Sequence, residues 1–130
     1  MESGLRMPRR HLMALKDRIT FLTTPEQVDQ FLAGNKTAAI FKAGTCHKTA
    51  SSFEHVQAQF EDRDDLPLGI IRVVEARAAS NHVEKITGVR HESPQLLLFK
   101  DGKPVFDRDN WDITAEAVAV GLLDHFSRVA

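Results

Sequence analysis

The sequence predicts an α/β domain: a mixed central sheet with helices on both faces, closed by a β-hairpin and a last helix. Two observations carry this. Apolar runs at "ITFL", "KTAAIFKA" and "PLGIIRVVEA" alternate with segments of helical periodicity, and strands joined through helices must run parallel. Further on, "QLLLFKDGKPVFD" sets Asp101 and Gly102 between two apolar runs, the pattern of a tight antiparallel hairpin.

Each element has its own justification. After the strand 19–22, Thr24 suits a helix cap, Pro25 the first helical position and Gln27 the return leg of a capping box, with Gly34 and Asn35 as the stop. Val28, Phe31 and Leu32 then face the core. The strand 36–43 precedes a helix over 46–65 with Ala50, Phe53, Val56 and Phe60 on one face and an acidic, solvated end. A strand follows from Pro67. Ser80 opens a short helix that Gly88 closes. The final helix starts near Thr114 with Val118, Leu122, Phe126 and Val129 inward, and Trp111 is read as a packing residue at the sheet edge.

The chain has 130 residues, room for one core. We divide it into a basic N-terminal extension, 1–18, with Arg6, Arg9, Arg10, Lys16 and Arg18, and a domain over 19–130. The extension is expected to fray or dock on the surface rather than bind an acidic partner. With 17 basic against 18 acidic residues there is no global field to attract nucleic acid or an anionic membrane. No apolar run approaches the roughly 18 residues of a membrane span, and no leader pattern is evident at the start. One cysteine excludes an internal disulfide framework, so a soluble protein in a reducing cytoplasm is expected, as a monomer.

That cysteine, Cys46, stands where a strand gives way to a helix, in "AGTCHKTASSF". A thiol in a helix's first turn meets unpaired backbone N–H groups and the positive end of the dipole, both of which favour thiolate. Thr45 is read as the cap, His47 and Lys48 supply donors or positive charge, and Thr49, one turn on, can donate a hydrogen bond to the sulfur. A small buried residue is the structural alternative, but the polar surroundings argue for exposure. The six histidines do not offer compact metal-ligand spacing: His47 and His55 are far apart, and His11, His82, His91 and His125 are scattered. No metal or bound cofactor is expected. A cysteine–histidine hydrolase lacks both a recognisable oxyanion motif and room for a cleft.

Two further stretches, "HESPQLLLFKDGKPVF" and "DNWDIT", together with the cysteine at its strand-to-helix junction, make the sequence resemble the thioredoxin fold and, more specifically, the monothiol bacilliredoxins of bacillithiol metabolism. The likeness covers most of 19–128. It implies a three-layer α/β/α fold, an attacking Cys46, a cis-proline at Pro94 after Ser93, and a hydroxyl, Thr49, where other members of the superfamily carry a resolving cysteine. It also sets His91 and Glu92 in the loop beside Cys46, where they can tune the thiol or bind the small thiol. The sequence departs from the family at His47 and Lys48, in place of proline and an apolar residue. The implied activity is removal of bacillithiol or a related low-molecular-weight thiol from S-thiolated client proteins, with that thiol as co-substrate. Two alternatives are a thioredoxin-like adaptor and a sensor that accumulates oxidised Cys46 without turnover.

Overall fold

The computed structural model describes residues 14–63 and 65–126. Arg6, Arg9, Arg10 and His11 of the basic extension, and Val129, which the sequence assigned to the last helix, lie outside the described residues. In chain order the elements are α1 (Leu15–Arg18), β1 (Ile19–Phe21), α2 (Pro25–Ala33), β2 (Thr37–Ala43), α3 (His47–Phe60), β3 (Leu68–Arg72), α4 (Arg77–Thr87), β4 (Gln95–Lys100), β5 (Lys103–Asp109), a 3-10 turn (Asn110–Asp112) and α5 (Ala115–His125).

The strands form one sheet in the order β1-β3-β2-β4-β5. β3 runs parallel to both β1 and β2, while β4 is antiparallel to β2 and to β5, so the expected parallel direction holds for β1 to β3 and fails at β4, which α4 returns to the sheet in the opposite sense. Side-chain alternation along β2 divides the core. Ala38 and Ile40 pack with Val28, Phe31 and Leu32 of α2 and Ala79 and Val83 of α4, whereas Ala39 and Phe41 pack with Val56 and Phe60 of α3 and Val118 and Leu122 of α5. Three layers result, a fold that follows the thioredoxin pattern.

Local chemistry accounts for the ends of the elements. The Thr24 hydroxyl accepts from Gln27 N–H at 3.1 Å, and the Gln27 side chain returns to Thr23 N–H at 2.7 Å, so the capping box closes one residue earlier than read from sequence. The hairpin turns on Asp101 and Gly102 with φ of 53° and 79°, left-handed values that asparagine, aspartate and glycine tolerate best.

Other expectations about the elements need correction. α4 begins at Arg77 with Ala76 at its cap position, so Ser80 lies one turn inside the helix, buried. α3 ends at Phe60, and its inward stripe runs through Ser52, Val56 and Phe60 with Phe53 partly buried beside them; at about 100° per residue around the helix, Ala50 falls off that stripe and is exposed at a groove. Trp111 does not pack at the sheet edge: it is 66% exposed on its turn. Finally, the packed chain starts before residue 19. Leu15 joins the α3/α5 core, and the buried Arg18 guanidinium donates to the carbonyls of Phe60 at 3.0 Å and Leu66 at 3.3 Å, a cation placed on the negative end of α3.

Candidate active site

β2 delivers its chain end to the base of α3 through Gly44 and Thr45. The cap position of α3 belongs to Cys46, not Thr45, whose side chain is exposed. Cys46 itself is free and exposed. Its thiol is held below the ordinary range, first by the Thr49 backbone N–H, against a smaller desolvation effect, and further by the Lys48 N–H, the Thr49 hydroxyl and the Lys48 charge. His47, exposed at the first helical position, is not among these groups. A thiol is a poor acceptor and makes no formed cap bond here; the thiolate is the species these donors favour.

Thr49 is tied in twice. Its Oγ1 accepts from Gly44 N–H at 3.0 Å and lies 4.0 Å from Cys46 Sγ. With that lone pair engaged, the hydroxyl proton is available to the sulfur. An apolar groove of about 450 Å³ opens beside Thr49 and Ala50, floored by Phe41, Phe53 and Ile70 and edged by Arg72, whose guanidinium lies 4.2 Å from the Phe21 ring centre.

The loop before β4 closes over the end of β2. Its Ser93–Pro94 bond is cis. A Cβ on Gly44 would fall 2.6 Å from Ser93 Oγ, so the two chains approach as closely as a glycine permits. Glu92 faces the 3-10 turn, its Oε1 accepting from Asn110 Nδ2 at 3.3 Å, and its Oε2 stands 3.9 Å from Arg90.

Asn110, which the sequence did not single out, joins these parts. It donates through its backbone N–H to the Pro94 carbonyl at 3.0 Å, accepts Lys48 Nζ on Oδ1 at 2.8 Å, and receives the Ser52 hydroxyl on its own carbonyl. Its φ of 52° is left-handed. The Lys48 ammonium is thus drawn to the turn.

His91 does not face Cys46. Its Nδ1 points inward, 3.2 Å from Lys42 Nζ and 3.1 Å from Ser80 Oγ, while its backbone N–H donates to Glu84 at 3.0 Å. Burial and the Lys42 charge hold the imidazole below its ordinary value. Lys42 is fully buried in β2, its ammonium donating to the Ser80 carbonyl at 3.1 Å; burial brings its pKa down to about 8. A lysine inside "AAIFKA" was the visible signal of this arrangement, but its partners lie far along the chain. Among the described residues no three metal-binding side chains converge, and no helix is long and apolar enough to cross a membrane.

Comparison with known proteins places this geometry. The family described as monothiol bacilliredoxin BrxC matches residues 20–118. A solved, provisionally assigned oxidoreductase with a thioredoxin fold is 28% identical, with a TM-score of 0.75 over 82% of this chain and 95% of its own. Oxidised mitochondrial thioredoxin 3 of Saccharomyces cerevisiae, 19% identical, gives a TM-score of 0.68 over 85% of this chain and 99% of its own. A thioredoxin variant from Halobacterium salinarum, 20% identical, also gives 0.68, over 88% and 96%. These last two show the fold alone. The family match spans most of the strands and helices described above, and with it the chain belongs to the monothiol bacilliredoxin family, thiol–disulfide oxidoreductases on a thioredoxin fold.

Proposed function

We propose that Cys46 removes bacillithiol from mixed disulfides on client proteins and carries it until a second thiol arrives. The observation that supports this best is the pairing of an exposed, acidified Cys46 with the Thr49 hydroxyl in a chain that holds no other cysteine. The Cys46 thiolate attacks the bacillithiol sulfur of the client disulfide; the client sulfur leaves with the bonding pair and takes up a proton. A new disulfide, Cys46 to bacillithiol, remains. Lacking a resolving partner in this chain, it waits for an external thiolate, which releases a small-molecule disulfide and restores the Cys46 thiolate. Thr49 steadies that thiolate before attack and after release, and the Ser93–Pro94 loop borders the position the client occupies. In this reading the protein works as a monomer on S-thiolated proteins, with the small thiol as co-substrate and without a bound cofactor, in a reducing cytoplasm.

Mixing the reduced protein with a bacillithiolated client tests this. Intact mass should show one bacillithiol adduct per chain, with client reduction stopping near one equivalent until free bacillithiol is added. Cys46→Ser should do neither. Reduction of a glutathionylated client alone would move the substrate to glutathione, and inertness toward both would leave the sensor or adaptor reading.

A further inference from the structure

Lys42 shares a face of β2 with Ala38 and Ile40, which pack on α2 and α4, so an apolar side chain would fill its place at lower cost. The fold instead buries an ammonium completely and supplies it with two acceptors, the Ser80 carbonyl and His91 Nδ1. A buried charge with bespoke partners in the strand that leads to the reactive cysteine calls for a use beyond packing.

We propose that Lys42 and His91 form a clamp that positions the Ser93–Pro94 loop against the strand end carrying Cys46, which makes Lys42 a positioning residue for thiol exchange; this rests on the exchange reading above. Strand and loop are bonded at Lys42 and His91, and two residues further along each segment they run close, with room at Gly44 for no Cβ against Ser93 Oγ. Together these contacts fix both the place and the direction of the loop, and the His91 N–H to Glu84 bond secures it to α4. An ammonium only donates, so Nδ1 carries the lone pair and the ring proton sits on Nε2. Ser80 Oγ, 3.1 Å from the same nitrogen, donates to it too.

The groups facing His91 are Lys42 from β2, Glu84 and Arg77 from α4, and Glu92 from its own loop. Protonation at Nδ1 points a proton at the Lys42 ammonium, so acid opens the clamp and the two carboxylates only moderate the effect.

The test combines three measurements on the full chain: ring titration of His91 by NMR, amide hydrogen exchange over residues 90–93, and the rate of Cys46 with a mixed disulfide, divided by the thiolate fraction found from alkylation. In the wild type, His91 should be the Nε2–H tautomer, and the corrected rate should fall as His91 protonates. Lys42→Met should raise the His91 midpoint toward 6.5, speed loop exchange at least about tenfold, slow the corrected rate about tenfold and abolish its acid limb. His91→Ala should match it in loop and rate, whereas His91→Asn, with Oδ1 where Nδ1 stood, should recover most of both. Wild-type loop exchange and rate in Lys42→Met would overturn the clamp. If that variant does not fold, the His91 pair decides, and equal loss in Ala and Asn is the overturning result. If the wild type exchanges no thiol, the functional reading fails, and loop protection in the His91 variants still settles the clamp.

Discussion

Thr49 Oγ1 stands 4.0 Å from Cys46 Sγ with one lone pair already committed to Gly44 N–H at 3.0 Å. The hydroxyl accepts from the backbone with one lone pair, and toward the thiolate, which can only accept, it turns its proton. Thr49→Val keeps the shape and removes both bonds. It should raise the thiol's midpoint and slow exchange at neutral pH about fivefold, the equivalent of one hydrogen bond of roughly 1 kcal/mol. Thr49→Ser keeps both bonds and should stay near wild type. The rate of alkylation against pH reads the midpoint, and a Thr49→Val curve that overlays the wild type would remove Thr49 from the mechanism.

Asn110 has two separable roles, a left-handed backbone and a side chain that bridges Lys48 to Glu92. Asn110→Gly retains the first and deletes the second, while Asn110→Ala deletes the bridge and strains the backbone. Urea unfolding should therefore find the alanine variant less stable than the glycine variant by about 1–2 kcal/mol. Equal stabilities would mean that the turn relaxes out of its left-handed conformation. In both variants the freed Lys48 should make exchange more sensitive to added salt, because its charge is no longer fixed.

What could be read from sequence was local. Thr24 with Gln27, Asp101 with Gly102, and the cysteine at a strand-to-helix junction each declare themselves within a few positions, and the alternation of strands and helices fixed the layers. The misreadings were tertiary. Ser80 has the chemistry of a cap, but α4 buries it so that its carbonyl can receive Lys42 from a strand 38 positions earlier. Trp111 has the bulk of a core residue, yet the bonds of Asn110 to α3 and Pro94 hold the turn so that the indole faces water. His91 resembled a tuner of the thiol, but its Nδ1 meets the Lys42 ammonium on the α4 side of the sheet, whereas α3 packs on the other side.

Lys42 also leaves a signature in the pH dependence of stability. Folded, it loses its proton at about 8, against 10.5 for the unfolded chain. Between those values the unfolded state binds more protons, so stability rises with pH across the window, and below it the cost of burying the charge is fully present. The Cys46 thiol is also shifted down, and titrates with the same sign, so the measurement belongs in Cys46→Ser. The chain holds no tyrosine to ionise over this range. Denaturant midpoints in that background should climb from pH 7.5 to 10, and adding Lys42→Met should flatten the climb. A midpoint that does not rise would show the ammonium to be no more costly folded than unfolded.

The approach of Gly44 to Ser93 predicts a coupled pair. A methyl on Gly44 would meet Ser93 Oγ at 2.6 Å and Thr49 Oγ1 at 3.3 Å, whereas Ser93 Cβ lies a comfortable 3.8 Å away. Gly44→Ala must therefore push the Ser93 hydroxyl and its loop outward, away from the strand end that leads to Cys46, and crowd the threonine that serves the sulfur. Thiol exchange should slow, since the loop and Thr49 both lie at the strand end that leads to Cys46. Ser93→Ala removes the obstructing oxygen and leaves the tolerated Cβ, so alone it should cost little. Combined with Gly44→Ala it should restore much of the lost rate, a positive coupling of about 1 kcal/mol or more in a double-mutant cycle. Additive losses would show that the methyl acts through the Thr49 hydroxyl instead, 3.3 Å away.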